Sequence, residues 1–380
     1  MLELLIYALF IWWLINKGYK GFWKTIKHER LLIWGILLLL LGVSIAVLFS
    51  WNIRLSAGIW KAWFIDPLLF FMIFVSIIKK DDIKNVFKAM ICSGVVVATI
   101  SLVYLFLGEF NYQGRLQGIF DSPNYLAMYL AVPLLSLWTS PWLSLWTSPK
   151  KQLHKDTGQR PSEALPSVSA SSLTMRLGLR KVFLPIIFLV LVITLFFTKS
   201  FGALLGILAV LGFWLVFNLY NKNKQKLLLR TIFLIFVLVV IIGSVKINSI
   251  EGSKSFDARF VIWQQAINVF IEHPLTGIGP GTFEDYFPPY PKWGVPQPHN
   301  IFLAFLIQTG LIGFIGFLLI LIWFFSSCGR PAVGWRHLVV LCLMVYIFAH
   351  GLVDTTYWKN DLSIVFWVII GLMLVNKKES

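Results

Sequence analysis

Long apolar runs recur along most of the chain, and short polar, mostly basic stretches separate them. A helix needs roughly 20 apolar residues to cross the hydrocarbon of a bilayer. The runs fall near 2–16, 31–50, 58–78, 89–107, 124–142, 182–197, 202–218, 228–245, 299–325, 338–353 and 362–375. Spanning β-strands would instead give segments of about ten alternating residues, and none stands out. The pattern predicts an all-α, polytopic transmembrane helical bundle of about eleven spans.

The polar intervals differ in character. Residues 150–181 are basic and Ser-rich with Pro161 and Pro166, which predicts a flexible loop. Just before them LSLWTSPW (135–142) is followed by LSLWTSPK (143–150). Two copies of eight residues make a local duplication, too short for a solenoid, and Trp138, Trp142 and Trp146 suit a headgroup belt. The interval 108–124 is GEFNYQGRLQGIFDSPN. The longest, 246–298, carries Arg259, Glu272, His273, Glu284 and Asp285 among prolines and aromatics. Its apolar residues at 260, 261, 263, 267, 270 and 271 predict an amphipathic helix lying on the membrane surface. Pro274 should end it, and GIGPG (277–281) should turn the chain.

Composition agrees. The chain of 380 residues is 58% hydrophobic and only 13% charged, with mean hydropathy +0.79. Its net charge of +16 would suit a nucleic-acid binder, but the distribution argues for the membrane. Of 33 Lys and Arg, 24 lie in the loops 17–30, 79–88, 150–181, 222–230, 330–336 and 377–378. Basic loops stay cytoplasmic, so the N-terminus is expected outside, the C-terminus inside, and 246–298 extracytoplasmic. No nucleic-acid partner is needed. The first apolar run lacks a preceding basic region and a small-residue cleavage site, so it reads as a span. Cys92, Cys328 and Cys342 are far apart and show no metal or redox spacing.

Within this frame several motifs resemble one family. PHNIFLAFLIQTGLIG (298–313) resembles the His-Asn-x9-Gly-x-x-Gly pattern of the O-antigen ligase/O-antigen polymerase superfamily. RFVIWQQAINVFIEHPLTGIGPGTF resembles its Arg, Trp and His-Pro-x-x-Gly-x-Gly block. GIFDSPNYLAMYL and HGLVDTTYWKNDLSIVFWVIIGLM are similar to its Pro-Asn-x-x-Ala segment and C-terminal span. The resemblance covers about residues 112–375, leaving 1–111 as N-terminal transmembrane helices. It implies inverting, metal-independent and cofactor-free glycosyl transfer outside the bacterial cytoplasmic membrane. The donor would be a glycan on a polyprenyl diphosphate. The acceptor would be another lipid-linked repeat, lipid A core or a protein. The chain departs from the family at TKSFGALLG (198–206), where Phe201 stands in the place of a common arginine and Lys199 lies two residues earlier. A lysine lacks the bidentate fork of a guanidinium.

Such a transfer needs a base for the acceptor hydroxyl and positive charge for the departing diphosphate. His299, at the threshold of a span, is the expected catalytic base, since a helix N-terminus disfavours imidazolium. Asn300 beside it would orient the ring or bind substrate, and Pro298 suits a helix start. Arg259, opening the amphipathic segment, is the first candidate for the diphosphate, followed by Arg115 and Lys199. Asp354 would orient a histidine or bind a sugar. Asn124 reads as a helix cap or a substrate ligand. His273 finishes a helix, and Asp66 is an intramembrane acid. Gly310 and Gly313, three apart, should let a neighbouring helix approach. Two other classes fit the same charges: a transporter or flippase, and a non-catalytic binder of lipid-linked glycans.

Overall fold

The computed structural model describes residues 2–111, 113–139, 170–220, 249–286, 296–327 and 335–377. These are helices and connecting turns, with no strand among them. They form two compact units, one of residues 1–84 with 200–380 and the other of 85–199.

The larger unit contains α1 (Leu2–Ile15), α2 (Gly18–Ile26), α3 (Arg30–Leu48), α4 (Ile53–Trp60), α5 (Asp66–Ile77), α9 (Phe201–Tyr220), α10 (Ser249–Glu272), α11 (Ile301–Ser326), α12 (Trp335–Gly351) and α13 (Asn360–Lys377). A π turn, Lys61–Ile65, joins α4 to α5. The smaller unit holds most of α6 (Ile83–Phe106), α7 (Pro123–Thr139) and α8 (Ala170–Thr198). Among the described residues five helical stretches are long and apolar enough to cross a membrane: Arg30–Leu48, Ile53–Ile77, Lys80–Phe106, Ile301–Ser326 and Asn360–Lys377. Shorter apolar helices occupy Glu3–Ile15, Phe183–Thr198, Phe201–Phe217 and Trp335–Gly351. The chain is thus an all-helical membrane protein, while the count of eleven spans is not carried. The expected span 228–245 lies outside the described residues.

Three elements differ from the pattern. The basic stretch 17–30 contains α2, whose Thr25 and Ile26 are buried. Its helical amphipathicity is masked by four lysines in a short window. The expected loop 150–181 is already helical from Ala170, because α8 runs into it. Most of 246–272 is likewise helical, since α10 begins at Ser249 and places Arg259 mid-helix.

α10 is apolar on two faces. Ile262, Ala266 and Val269 pack on Ile278, Phe283 and Ile307. Much of the stripe expected to lie on the membrane faces away from that packing: Phe260, Val261, Ile267 and Ile271 are exposed. Arg259 continues the inward row, because 259, 262, 266 and 269 are spaced three or four apart.

α3 and α11 pack through glycines. A Cβ on Gly35 would lie 3.0 Å from the Gly316 carbonyl, and one on Gly42 would overlap Gly313. Gly310 does something else. It sits at φ 65°, ψ 179° inside α11 and interrupts the helix. The helical bond that would join Leu311 N–H to the Ile307 carbonyl is replaced by two others. Leu311 N–H donates to the Pro274 carbonyl at 2.9 Å, and Ile307 accepts from Ile278 N–H at 2.9 Å. The GIGPG loop is therefore stitched into the break, with Gly277, Gly279 and Gly281 all at positive φ. Gln308, fully buried, fixes it further by accepting from Gly281 N–H and donating to Gln297. Ser56 donates to the Pro280 carbonyl from the other side.

Candidate active site

His299 precedes α11 at φ 47°, a left-handed conformation uncommon for a residue with a Cβ. Asn300 explains why it is held there. Asn300 is extended, and its side chain accepts from Phe302 N–H and Leu303 N–H, capping α11. Its amide nitrogen also donates to the Leu352 carbonyl. Asn300 thus serves as cap and clasp, and Pro298 lies three residues ahead of Ile301, the first helical position.

The Leu352 contact draws in the turn 352–359 between α12 and α13. Asp354 Oδ1 lies 3.2 Å from His299 Nδ1 and accepts from Thr355 N–H at 2.9 Å. The Asp354 side chain is 5% exposed, whereas that of His299 is 34% exposed. Burial alone would push the Asp354 carboxyl up. The hydrogen bond from His299 and the positive charge of His299 and Arg259 outweigh it and hold the group well below the usual carboxylate range. An ionised Asp354 only accepts, so the neutral imidazole carries its proton on Nδ1 and leaves Nε2 as the acceptor. Arg259 Nε donates to the Val353 carbonyl at 3.0 Å. The imidazole, carboxylate and guanidinium therefore meet on two consecutive residues, 353 and 354.

The turn itself is anchored deeply. Tyr357, fully buried, donates to the Trp63 carbonyl in the π turn at 2.7 Å. Tyr357 and Trp358 pack on Phe64 and Phe305. Thr356 donates to the Ile347 carbonyl of α12. Beneath lies a residue that sequence reasoning passed over. His350 is fully buried, with Nδ1 2.8 Å from the Tyr346 hydroxyl and Nε2 without a hydrogen-bond partner among the described residues. Gly202 packs on its ring, and any Cβ there would collide with it. The only signal was its position four residues before Asp354.

Of the remaining candidates, Arg115, Asn124 and Lys199 lie in the smaller unit, and Asp66, Phe201 and His273 in the larger one. Arg115 Nε donates to the Thr198 carbonyl at 2.9 Å, and Nη2 donates to Asn124 Oδ1 at 2.6 Å. Asn124 is consequently not the cap of α7. Ser122 takes that role, its hydroxyl accepting from Asn124 N–H. Lys199 follows α8 at φ 49° and is part-exposed. Phe201 is 39% exposed at the start of α9, where the family arginine would stand. His273 follows the last residue of α10, and its ring packs on Tyr286. Asp66 receives a hydrogen bond from Tyr7 in α1.

Against known families, residues 186–318 match the family described as O-antigen ligase, which supports the O-antigen ligase/polymerase superfamily resemblance. The matched segment contains Arg259, His299 and Asn300 and stops before Asp354. No curated protein and no solved structure matches the chain.

Proposed function

We propose that the chain transfers a glycan from a polyprenyl diphosphate carrier to an acceptor hydroxyl on the extracytoplasmic side of the membrane. The carrying observation is the His299–Asp354 pair at 3.2 Å with Arg259 bonded one residue away, inside a chain whose residues 186–318 match the O-antigen ligase family. His299 Nε2 takes the proton of the acceptor hydroxyl as its oxygen attacks the anomeric carbon of the donor sugar. The bond from that carbon to the diphosphate oxygen breaks, and the electron pair leaves with the diphosphate. Asp354 orients the imidazole and stabilises the imidazolium as it forms. Arg259 faces the developing negative charge, a role metal ions fill elsewhere. Attack opposite the leaving group inverts the anomeric centre. Lys199 and Arg115 are further candidates for the carrier's phosphates.

Sidedness is supported by which ends meet. Lys377 lies 2.7 Å from Glu29 and Arg336 lies 3.8 Å from Asp81, joining four of the basic loops at the ends opposite His299. The break at Gly310 is the feature that favours a transporter, because discontinuous helices bind cargo through freed backbone groups. Here the 274–278 segment already occupies those groups, so they are closed to a cargo.

A strain deleted for this gene and complemented with wild-type or His299→Ala protein tests the reading. Wild type restores the finished glycan, and His299→Ala, at equal membrane abundance, does not. Accumulated single repeats identify a polymerase, and completed but unattached chains a ligase. Full restoration by His299→Ala overturns the proposal.

A further inference from the structure

The short helix α2 carries three distinct rows of side chains. One side is packed. The Phe22 ring meets Phe71 of α5 edge-on, with centroids 6.4 Å apart, and Thr25 and Ile26 are buried. A second row, Tyr19 and Trp23, is spaced four apart and is 48% and 61% exposed. The third row is basic. Lys20, Lys24 and Lys27 are spaced four and three apart and are exposed, and Lys17 is exposed just before the helix. We propose that this lysine row is a docking surface for the phosphate headgroups of anionic lipids. The inference concerns a surface apart from the transferase site and stands independently of that reading.

Charge complementarity names the occupant. Like charges three and four apart on a helix repel one another. None of the four ammonium groups pairs with a described acid. Glu29 is the only acid between residues 4 and 65, and it already accepts from Lys377 and Trp323. An ammonium offers three donors and no acceptor, which suits phosphate oxygens. A basic row beside a membrane helix is drawn to an anionic leaflet.

The aromatic row selects a lipid surface over a free phosphate. Tyr and Trp favour the level where headgroups meet hydrocarbon. A helix lying at that level carries cations on one side and apolar or aromatic groups on the other. Keeping a basic loop on one side of the membrane requires its charge alone, with no order among its residues. In α2 the cations and the exposed aromatics form adjacent rows on a folded helix. A free phosphate would engage the lysines and leave Tyr19 and Trp23 in water.

The surface is also pre-built. Gly18 lies on the Trp13 ring so closely that a Cβ would collide, and Gly21 approaches the Ser76 carbonyl near the end of α5. Thr25 Oγ1 donates to the Gly21 carbonyl at 2.9 Å. Docking therefore orders little backbone.

The test uses full-length protein in detergent and native mass spectrometry, which resolves bound lipids one by one. The probes are phosphatidylglycerol and phosphatidylcholine with the same acyl chains. Wild-type protein should bind phosphatidylglycerol at least about fivefold more tightly than phosphatidylcholine. A large excess of glycerol phosphate should not displace it. The combined variant Lys20→Gln, Lys24→Gln and Lys27→Gln should weaken phosphatidylglycerol at least about fivefold and leave phosphatidylcholine unchanged. Glutamine matches lysine in helix propensity; should the combined variant still fold poorly, Lys24→Gln alone should weaken phosphatidylglycerol at least about twofold. Lys79→Gln with Lys80→Gln and Lys84→Gln removes the same charge elsewhere and should leave binding as in wild type. No preference for phosphatidylglycerol, displacement by glycerol phosphate, or an equal loss in the 79/80/84 variant overturns the proposal. Wild-type binding by the folded α2 variant also overturns it and leaves an acidic protein as the occupant of the row.

Discussion

Asp354 Oδ1 sits 3.2 Å from Nδ1 of His299, although 55 residues separate them and each lies at the end of a different helix. The contact orients the part-exposed imidazole from its buried side. Replacing the carboxylate by an amide keeps the shape and removes the charge. Asp354→Asn should therefore lower glycan transfer by roughly tenfold or more while membrane insertion persists, because the stabilisation of imidazolium is lost. Transfer assayed in isolated membranes checks this; wild-type rates would argue against the pair.

The same pair has a signature in stability. The Asp354 carboxyl is held below its ordinary value, so its contribution is present above the unfolded carboxylate value near about 3.9 and is lost as pH falls through the folded value. The gap in thermal midpoint between wild type and Asp354→Asn should shrink as pH falls below about 4. Thermal scans in detergent across that range measure it.

Arg259 is predicted to act through its fork. Arg259→Gln should reduce transfer by about 10²-fold or more, the scale seen when a charge-stabilising donor is removed. Arg259→Lys restores charge but not the Nε bond to Val353, so recovery should be partial. Equal rates for all three proteins would remove Arg259 from the chemistry.

Gly310 is the most demanding backbone position. An alanine there would be strained at φ 65° and would collide with the Leu275 carbonyl. Gly310→Ala should cost at least about 1–3 kcal/mol and loosen the 274–281 loop. A lowered unfolding midpoint and faster proteolysis within that loop are the expected readouts.

Tyr357→Phe separates anchoring from chemistry. It removes the bond to the Trp63 carbonyl while keeping the ring packed, and should cost about 1–3 kcal/mol because a buried acceptor is left unpaired. Activity should fall with stability, since the turn carrying Asp354 loses its tie to the π turn.

Much of this was legible from residues alone. The apolar runs place α3, α5, α6, α11 and α13 correctly, because a membrane helix satisfies its own backbone and needs only length and hydropathy. His299 and Arg259 stood out because a titratable or charged group beside an apolar run has a short list of uses. The cap that Asn300 forms was not read from the sequence, since capping and substrate binding use the same amide. The apolar row of α10 read as lying on the membrane is largely exposed, whereas its packed row, Ile262, Ala266 and Val269, was not singled out, because both rows are apolar. Gly310 was read as a helix contact, whereas it breaks the helix.

By itself, then, the sequence determined that the chain is helical and membrane-embedded, and which polar and titratable residues stand at the edges of its apolar runs. Hydropathy and chemical type are properties of each residue and its near neighbours. Tertiary structure alone decided that 259, 299 and 354 meet, that the 274–281 loop completes a broken helix, and that His350 lies beneath the site. Those outcomes depend on hydrogen bonds between partners tens of residues apart, and no local pattern encodes which partner satisfies which group.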